Sequence, residues 1–173
     1  MNRQVLAALL ERMAARRPAV VATDLGTGEA RLLDPFAPGL DAEADLAAAA
    51  REAAARDRSA KLERPSGQVF LGVFNPPVQV IVVGAVHVAQ SLAPMVKLAG
   101  YDVVVVDPRR AFASPERFPG IPLVAEWPDE ALPRIGLGRR TAVVTMTHDP
   151  KIDDPALATA LRSEAFYLGS LGS

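Results

Sequence analysis

The densest group of chemically active side chains lies at residues 147–153, where one hydroxyl, one imidazole, two carboxylates and one ammonium follow an apolar run. No packing requirement explains this density, so we predict that these side chains contact a ligand. Lys151 would hold a phosphate as a point charge, and Asp149 would accept the ring N–H of His148 and so orient it. The alternative is a loop histidine bonded only to the backbone. The candidate contacts are Thr147, His148, Asp149 and Lys151.

A second group of candidates follows the apolar run at residues 78–83. That run ends at Gly84, a helical spacing follows, and a second apolar run at 102–106 ends in Asp107, 23 residues after the glycine. Strand, glycine turn, helix, strand and acid is the order of a dinucleotide-binding βαβ unit, in which the acid binds ribose hydroxyls. Gly84, His87 and Asp107 are therefore candidate cofactor contacts.

The glycine fingerprint of such a unit, G-x-G-x-x-G/A, is incomplete here because Val86 stands at its middle position. A glycine at that position lets the backbone approach a pyrophosphate, and a β-branched side chain would block the approach. We therefore expect the fold of a Rossmann unit but weak binding of NAD(P), or none.

Three arginines lie in the loop after Asp107, at positions 109, 110 and 117. Open α/β sheets bind ligands at the carboxyl ends of their strands, and a guanidinium group can bind a phosphate through two hydrogen bonds. Arg109 and Arg117 are therefore predicted to form an anion pocket. The alternative is a solvated charged loop.

These candidates are positioned by alternating strands and helices over residues 78–173, which predict an α/β fold with a Rossmann-like parallel sheet of order 3-2-1-4-5. In that order the fourth strand lies beside the first, so residues 147–151 face Gly84 across the crevice where the strand order reverses. Predicted strands lie at 78–83, 102–106, 121–126, 141–146 and 165–168, with helices between the first two strands, at 128–134 and at 156–163.

Residues 1–74 predict a separate small α+β domain, and residues 75–77 a linker. The domain contains no histidine, no cysteine and no carboxylates at ligand spacing, so we expect a packing or interaction module. Asp41 is a candidate N-cap of its second helix. The predicted helices lie at 2–17 and 41–58, and the predicted hairpin strands at 19–24 with 29–34 and at 59–64 with 68–74.

The composition of the 173 residues excludes several classes of function. Half of the residues are hydrophobic, which is enough for a core, and the net charge is −1 without a basic face, so we expect no nucleic-acid partner. There is no cysteine and there are only two histidines, which excludes disulfides, a thiolate nucleophile and a histidine-rich metal centre. Without a signal peptide or a membrane-length apolar run, we expect a cytoplasmic protein.

Several strings in residues 78–173 resemble the Rossmann domain of the XdhC/CoxI family, the accessory proteins of xanthine dehydrogenase and related molybdenum hydroxylases. The resemblance implies a protein that holds the molybdenum cofactor (molybdopterin) transiently, shields it during sulfuration and hands it to the apo-hydroxylase. The implied partners are that apo-enzyme and a sulfur donor, and the implied role is a chaperone rather than a catalyst. It also adds Gly169 to the candidate cofactor contacts. The matching strings are VVGAVHVA, VVVDPRRAFASPERFP, the Trp-Pro of AEWPDE, TMTHDPKIDDPALATAL and YLGSLGS.

The sequence departs from the family pattern in three ways. Val86 replaces a glycine, the cysteine- and glycine-rich N-terminal motif is missing, and so is the helix that usually follows LGS. The last two predict a truncated chain that acts beside a separate N-terminal partner. Two other functions stay open: an NAD(P)-binding oxidoreductase that uses Asp107 on ribose hydroxyls, and a non-catalytic docking subunit. The client enzyme and the oligomeric state, a homodimer included, also stay open.

Overall fold

A computed structural model describes residues 2–37 and 43–171 of the chain. The chain divides into two compact units, Met1–Pro76 and Pro77–Ser173. None of the helices in the described part combines the length and the hydropathy that a membrane span requires. The predicted N-cap Asp41 lies outside the described residues.

The first unit is a four-stranded antiparallel sheet with two helices, and both predicted hairpins are present in it. The strand order is β2-β1-β4-β3, so a central β1–β4 pair joins the two hairpins. The alanine-rich helix α2 packs on one face of the sheet through Leu46 and Ala50, and α1 packs on the other through Leu9. The elements are α1 (Arg3–Ala14), β1 (Ala19–Asp24), β2 (Ala30–Leu33), α2 (Ala44–Ala55), β3 (Ala60–Arg64) and β4 (Gly67–Phe74).

The second unit is an α/β fold built on a five-stranded sheet in which every pair of neighbouring strands is parallel. Its order, β7-β6-β5-β8-β9, is the predicted 3-2-1-4-5, so the predicted fold class is confirmed. The elements are β5 (Gln79–Val83), α3 (His87–Leu98), β6 (Asp102–Val106), β7 (Leu123–Val124), α4 (Pro128–Ile135), β8 (Thr141–Thr145), α5 (Pro150–Leu161) and β9 (Tyr167–Ser170).

The central strand β5 is apolar throughout its buried part because both of its faces are covered. Ile81 and Val83 belong to a cluster that includes Ala131 of α4 and Ile152 of α5. Val82 belongs to the opposite cluster, with Ala89 and Ala93 of α3. This two-sided burial explains why the sequence shows a continuous run of Val and Ile instead of an alternation.

Several predicted boundaries differ from the structure, and those of α5, β7 and β9 lie in the second unit. Helix α5 begins at Pro150 and not at residue 156, because a proline suits the first helical position and the Asp149 side chain caps the helix. The predicted strand 121–126 shortens to the two residues of β7, next to Pro122, which cannot donate a hydrogen bond to a neighbouring strand. Strand β9 runs from Tyr167 to Ser170 and so includes Gly169, whereas the predicted strand ends at residue 168.

Candidate functional site

Gly84 turns the chain from β5 into α3 at the carboxyl edge of the parallel sheet. Its φ is +109°, and a Cβ built on it would overlap the Cγ2 atom of Thr147. Its N–H donates to the Val106 carbonyl oxygen over 2.8 Å. Both the backbone angle and the contact require glycine here. Gly84 and Thr147, which follow neighbouring strands, therefore touch in the structure.

Asp107, the acid that follows β6, is fully buried, and its carboxylate accepts four hydrogen bonds. The Ala85 N–H donates over 2.7 Å. Arg109 donates its backbone N–H, Nε and Nη2 over 2.9, 2.9 and 2.7 Å. Burial acts to raise the pKa of Asp107, but the hydrogen bonds from Arg109 and Ala85 and the guanidinium charge hold that pKa below its usual value.

The carboxylate of Asp107 is therefore ionised, and its four lone-pair positions are occupied. One alternative that the sequence leaves open is an oxidoreductase in which this acid binds ribose hydroxyls. In the structure it instead ties the glycine turn, through Ala85, to the loop after β6, through Arg109.

Arg109 is held by a carboxylate and by an aromatic ring. Its Nε and Nη2 bind Asp107, and its guanidinium carbon lies 4.6 Å from the centroid of the Phe112 ring. The hydrogen bonds to Asp107 raise the pKa of Arg109, partial burial opposes them, and the charges of Asp107, Asp149 and Asp153 add to the rise. The Nε–Nη2 edge of Arg109 is thus already bound to a carboxylate.

The segment between β8 and α5 is organised by Asp153, whose exposed fraction is 6%. Its carboxylate accepts the Thr147 hydroxyl over 2.7 Å and the His148 backbone N–H over 2.9 Å. These bonds hold His148 at a φ of +57°, which is uncommon for a residue other than glycine. A buried acid therefore accounts for part of the polar density that the sequence assigned to a ligand.

Asp149 has a different role from the predicted one. Its Oδ1 accepts the backbone N–H of Lys151 over 3.0 Å, and this bond caps α5. The predicted role was to orient the His148 ring. Within this segment, His148 donates its backbone N–H to Asp153.

Three predicted contacts lie exposed near this edge: His87, His148 and Lys151. His87 is the first residue of α3, and the cap before it, Val86, makes no side-chain hydrogen bond. The first N–H groups of a helix have no acceptor within the helix, so they attract an anion. The half-buried Val86 packs against the apolar cluster under α3, which includes Val82.

Two predicted contacts, Arg117 and Gly169, have structural partners of their own. Arg117 donates Nη1 to the Phe112 carbonyl oxygen over 2.9 Å, and its guanidinium carbon lies 5.2 Å from the Phe112 ring centroid. Gly169 lies inside β9, where an added Cβ would come within 2.9 Å of the Tyr167 ring.

Sequence reasoning missed two residues of this edge. From the sequence, Asp153 is only one member of a polar run. Asp149 caps α5, and Asp153, four residues later, lies one turn into that helix. Phe112 was not singled out. It lies between Arg109 and Arg117 in the sequence, and its ring is 41% exposed while both guanidinium groups lie beside it.

Comparison with known proteins gives one family and one fold. A family model described as the XdhC Rossmann domain matches residues 80–173, more than half of the chain. A search of curated proteins finds no match. Among solved structures, a crystal structure described as a xanthine dehydrogenase from Bacillus halodurans is similar, with a TM-score of 0.67 and 21% identity. The match covers 99% of this chain and 53% of that chain, so this chain spans about half the length of that protein.

Proposed function

Because the chain belongs to the XdhC Rossmann domain family, we propose that it is an accessory factor of molybdenum hydroxylases of the xanthine dehydrogenase type. In this proposal it binds the molybdenum cofactor as cargo and delivers it to the apo-enzyme. The observation that carries the proposal is the family match, which covers the residues that form the edge at Gly84 and Thr147. A sulfur donor is the second proposed partner.

The residues at this edge suit a flat, anionic cargo. Molybdopterin carries a phosphate at one end and a pterin ring at the other. The start of α3, which no side chain caps, offers backbone N–H groups to the phosphate, and the exposed Lys151 offers a positive charge. The partly exposed Phe112, with the guanidinium groups of Arg109 and Arg117 beside its ring, offers the pterin an apolar surface with positive charge next to it.

A transient carrier needs a site that releases its cargo. The ion pair with Asp107 offsets the charge of Arg109 and uses its Nε–Nη2 edge, which weakens its contact with a bound anion. The other contacts for the ligand are a helix end, the exposed Lys151 and the surface around Phe112, each of which contributes modestly. This arrangement favours reversible binding over permanent retention.

Two other functions are less well supported by the same residues. An oxidoreductase that binds NAD(P) in the standard pose needs an acid for the ribose, and Asp107 has its lone pairs occupied. A subunit that only docks would not need the exposed His148 and Lys151 in the segment that Thr147 begins, at its contact with Gly84. Both alternatives predict that no pterin accompanies the protein.

The direct test is to isolate the chain from cells that make the molybdenum cofactor and to analyse the released small molecules by mass spectrometry. We expect a phosphorylated pterin in the sample, and we expect the same preparation to increase the activity of an apo-hydroxylase. Protein from cells unable to make the cofactor is the control for both measurements. Absence of pterin together with unchanged hydroxylase activity would contradict the proposal.

A further inference from the structure

In a dinucleotide-binding unit an acid after the second strand binds the ribose hydroxyls. Here the carboxylate at that position already accepts a full set of hydrogen bonds. Asp107 follows the second strand of the βαβ unit, as such an acid should. Its side chain is fully buried, and Oδ1 and Oδ2 each accept two hydrogen bonds. A ribose hydroxyl could bind this acid only by displacing one of the existing donors.

Arg109 supplies three of these four donors, from its backbone N–H, Nε and Nη2. The guanidinium also lies over the Phe112 ring and in the field of Asp149 and Asp153. Moving it away from Asp107 would therefore break two charged hydrogen bonds and would also disturb a cation–π contact. The guanidinium is fixed on the carboxylate by its surroundings as well as by the carboxylate itself.

We infer that Arg109 is a specificity residue that closes the ribose subsite of this Rossmann unit and thereby excludes dinucleotides. The glycine turn and the start of α3 keep their capacity for an anion, while recognition through vicinal ribose hydroxyls is lost. This inference goes beyond the proposed function, and it holds whether or not the molybdenum cofactor is the cargo.

Val86 is the other candidate obstacle to a dinucleotide, and the structure separates its effect from that of Arg109. The side chain of Val86 is half-buried and packs against the cluster under α3. In a dinucleotide-binding unit the position of Val86 lies beside the pyrophosphate, whereas Arg109 occupies the acid that would bind the ribose. The two residues act on different parts of one ligand, so their substitutions can be compared.

The test is calorimetric titration of the whole chain with NAD⁺ and with NADP⁺. Arg109→Leu removes the side-chain donors but keeps an apolar group near Phe112, and it frees Asp107 for the ribose. We expect NAD⁺ to bind this variant roughly ten- to a hundredfold more tightly than it binds the unmodified chain, the effect of one charged hydrogen bond or two. Adding Asp107→Asn to that variant should reverse the gain.

Two controls make the result decisive. Val86→Gly alone should change NAD⁺ binding less than Arg109→Leu does. Arg109→Lys keeps a positive charge beside the carboxylate and gives an intermediate affinity, and it carries the test if Arg109→Leu does not fold, which circular dichroism reports.

Three outcomes would overturn the inference. The first is micromolar NAD⁺ binding by the unmodified chain. The second is a folded Arg109 variant, Leu or Lys, that shows no gain in affinity. The third is NADP⁺ binding that Arg109→Leu abolishes, which would mean that Arg109 reads a 2′-phosphate instead of closing the subsite.

Discussion

The methyl group of Thr147 lies where a Cβ of residue 84 would be, so Gly84 and Thr147 fit together at the ends of two neighbouring parallel strands. One residue begins the turn into α3, and the other begins the segment that leads to α5. The contact fixes the two sides of the candidate site against each other. Substitutions on one side should therefore be felt on the other.

Gly84→Ala should be strongly destabilising. A positive φ costs an L residue on the order of 1–2 kcal/mol, and displacing a packed methyl group adds about 1–3 kcal/mol. Gly136→Ala is the matched control, because Gly136 also has a positive φ but has no neighbour within 4 Å of an added Cβ. Urea denaturation measures both variants. Equal losses at the two glycines would mean that the Thr147 contact contributes nothing.

A second substitution isolates the methyl group. Thr147→Ser keeps the hydroxyl that binds Asp153 and removes Cγ2. In the Gly84→Ala background it should recover part of the lost stability. In the Gly136→Ala background it should recover none.

The stability of the second unit should fall in acid through Asp107. Its pKa is lower in the folded chain than the usual 3.8, so the folded state binds its proton more weakly than the unfolded state does. The stabilisation is therefore complete above pH of about 4, near the unfolded pKa, and is lost as the pH falls through the lower folded value. Asp107→Asn should flatten the dependence of unfolding free energy on pH below that point. The same measurement on the unmodified chain is the comparison.

The sheet could be predicted because its strands are marked by burial on both faces. Ile81 and Val82 belong to opposite apolar clusters. A short run of such residues, bounded by glycine and proline, is typical of a strand buried on both faces. The meeting of Gly84 with Thr147 followed from the strand order alone. The predicted length of β7 was too great, because apolar residues beside Pro122 have the pattern of a strand whether or not they pair with a neighbour.

The roles of the acids could not be predicted because each role depends on which hydrogen-bond donors the fold places beside the carboxylate. Asp149 and Asp153 are the same residue type in one short segment, yet Asp149 caps α5 and Asp153 is buried and accepts the Thr147 hydroxyl. The difference depends on whether Pro150 starts a helix or interrupts one, and proline is compatible with both. The alternative in which Asp107 binds ribose hydroxyls came from the motif alone, which does not include the competing donor two residues later, Arg109.

Asp153→Ala should cost about 2 kcal/mol or more, because it leaves the Thr147 hydroxyl and the His148 N–H without their acceptor. The neighbouring Asp154→Ala is the control, since that side chain is exposed on the same helix. Urea denaturation gives the stability, and amide exchange at His148 reports the local effect. Exchange at His148 that stays slow in Asp153→Ala would show that the segment is held by other contacts.

The last prediction separates binding from folding on the exposed side of the site. His148→Ala and Lys151→Ala remove exposed side chains, so each should change the unfolding free energy by less than about 1 kcal/mol. Loss of a charged contact should weaken cargo binding by about 2 kcal/mol, roughly thirtyfold. Arg162→Ala, an exposed cation at the other end of α5, is the control and should leave binding unchanged. The measurements are thermal melts and activation of an apo-hydroxylase by each variant. Activation that is unchanged in both variants, or a melt that collapses in either, would place the cargo elsewhere on the molecule.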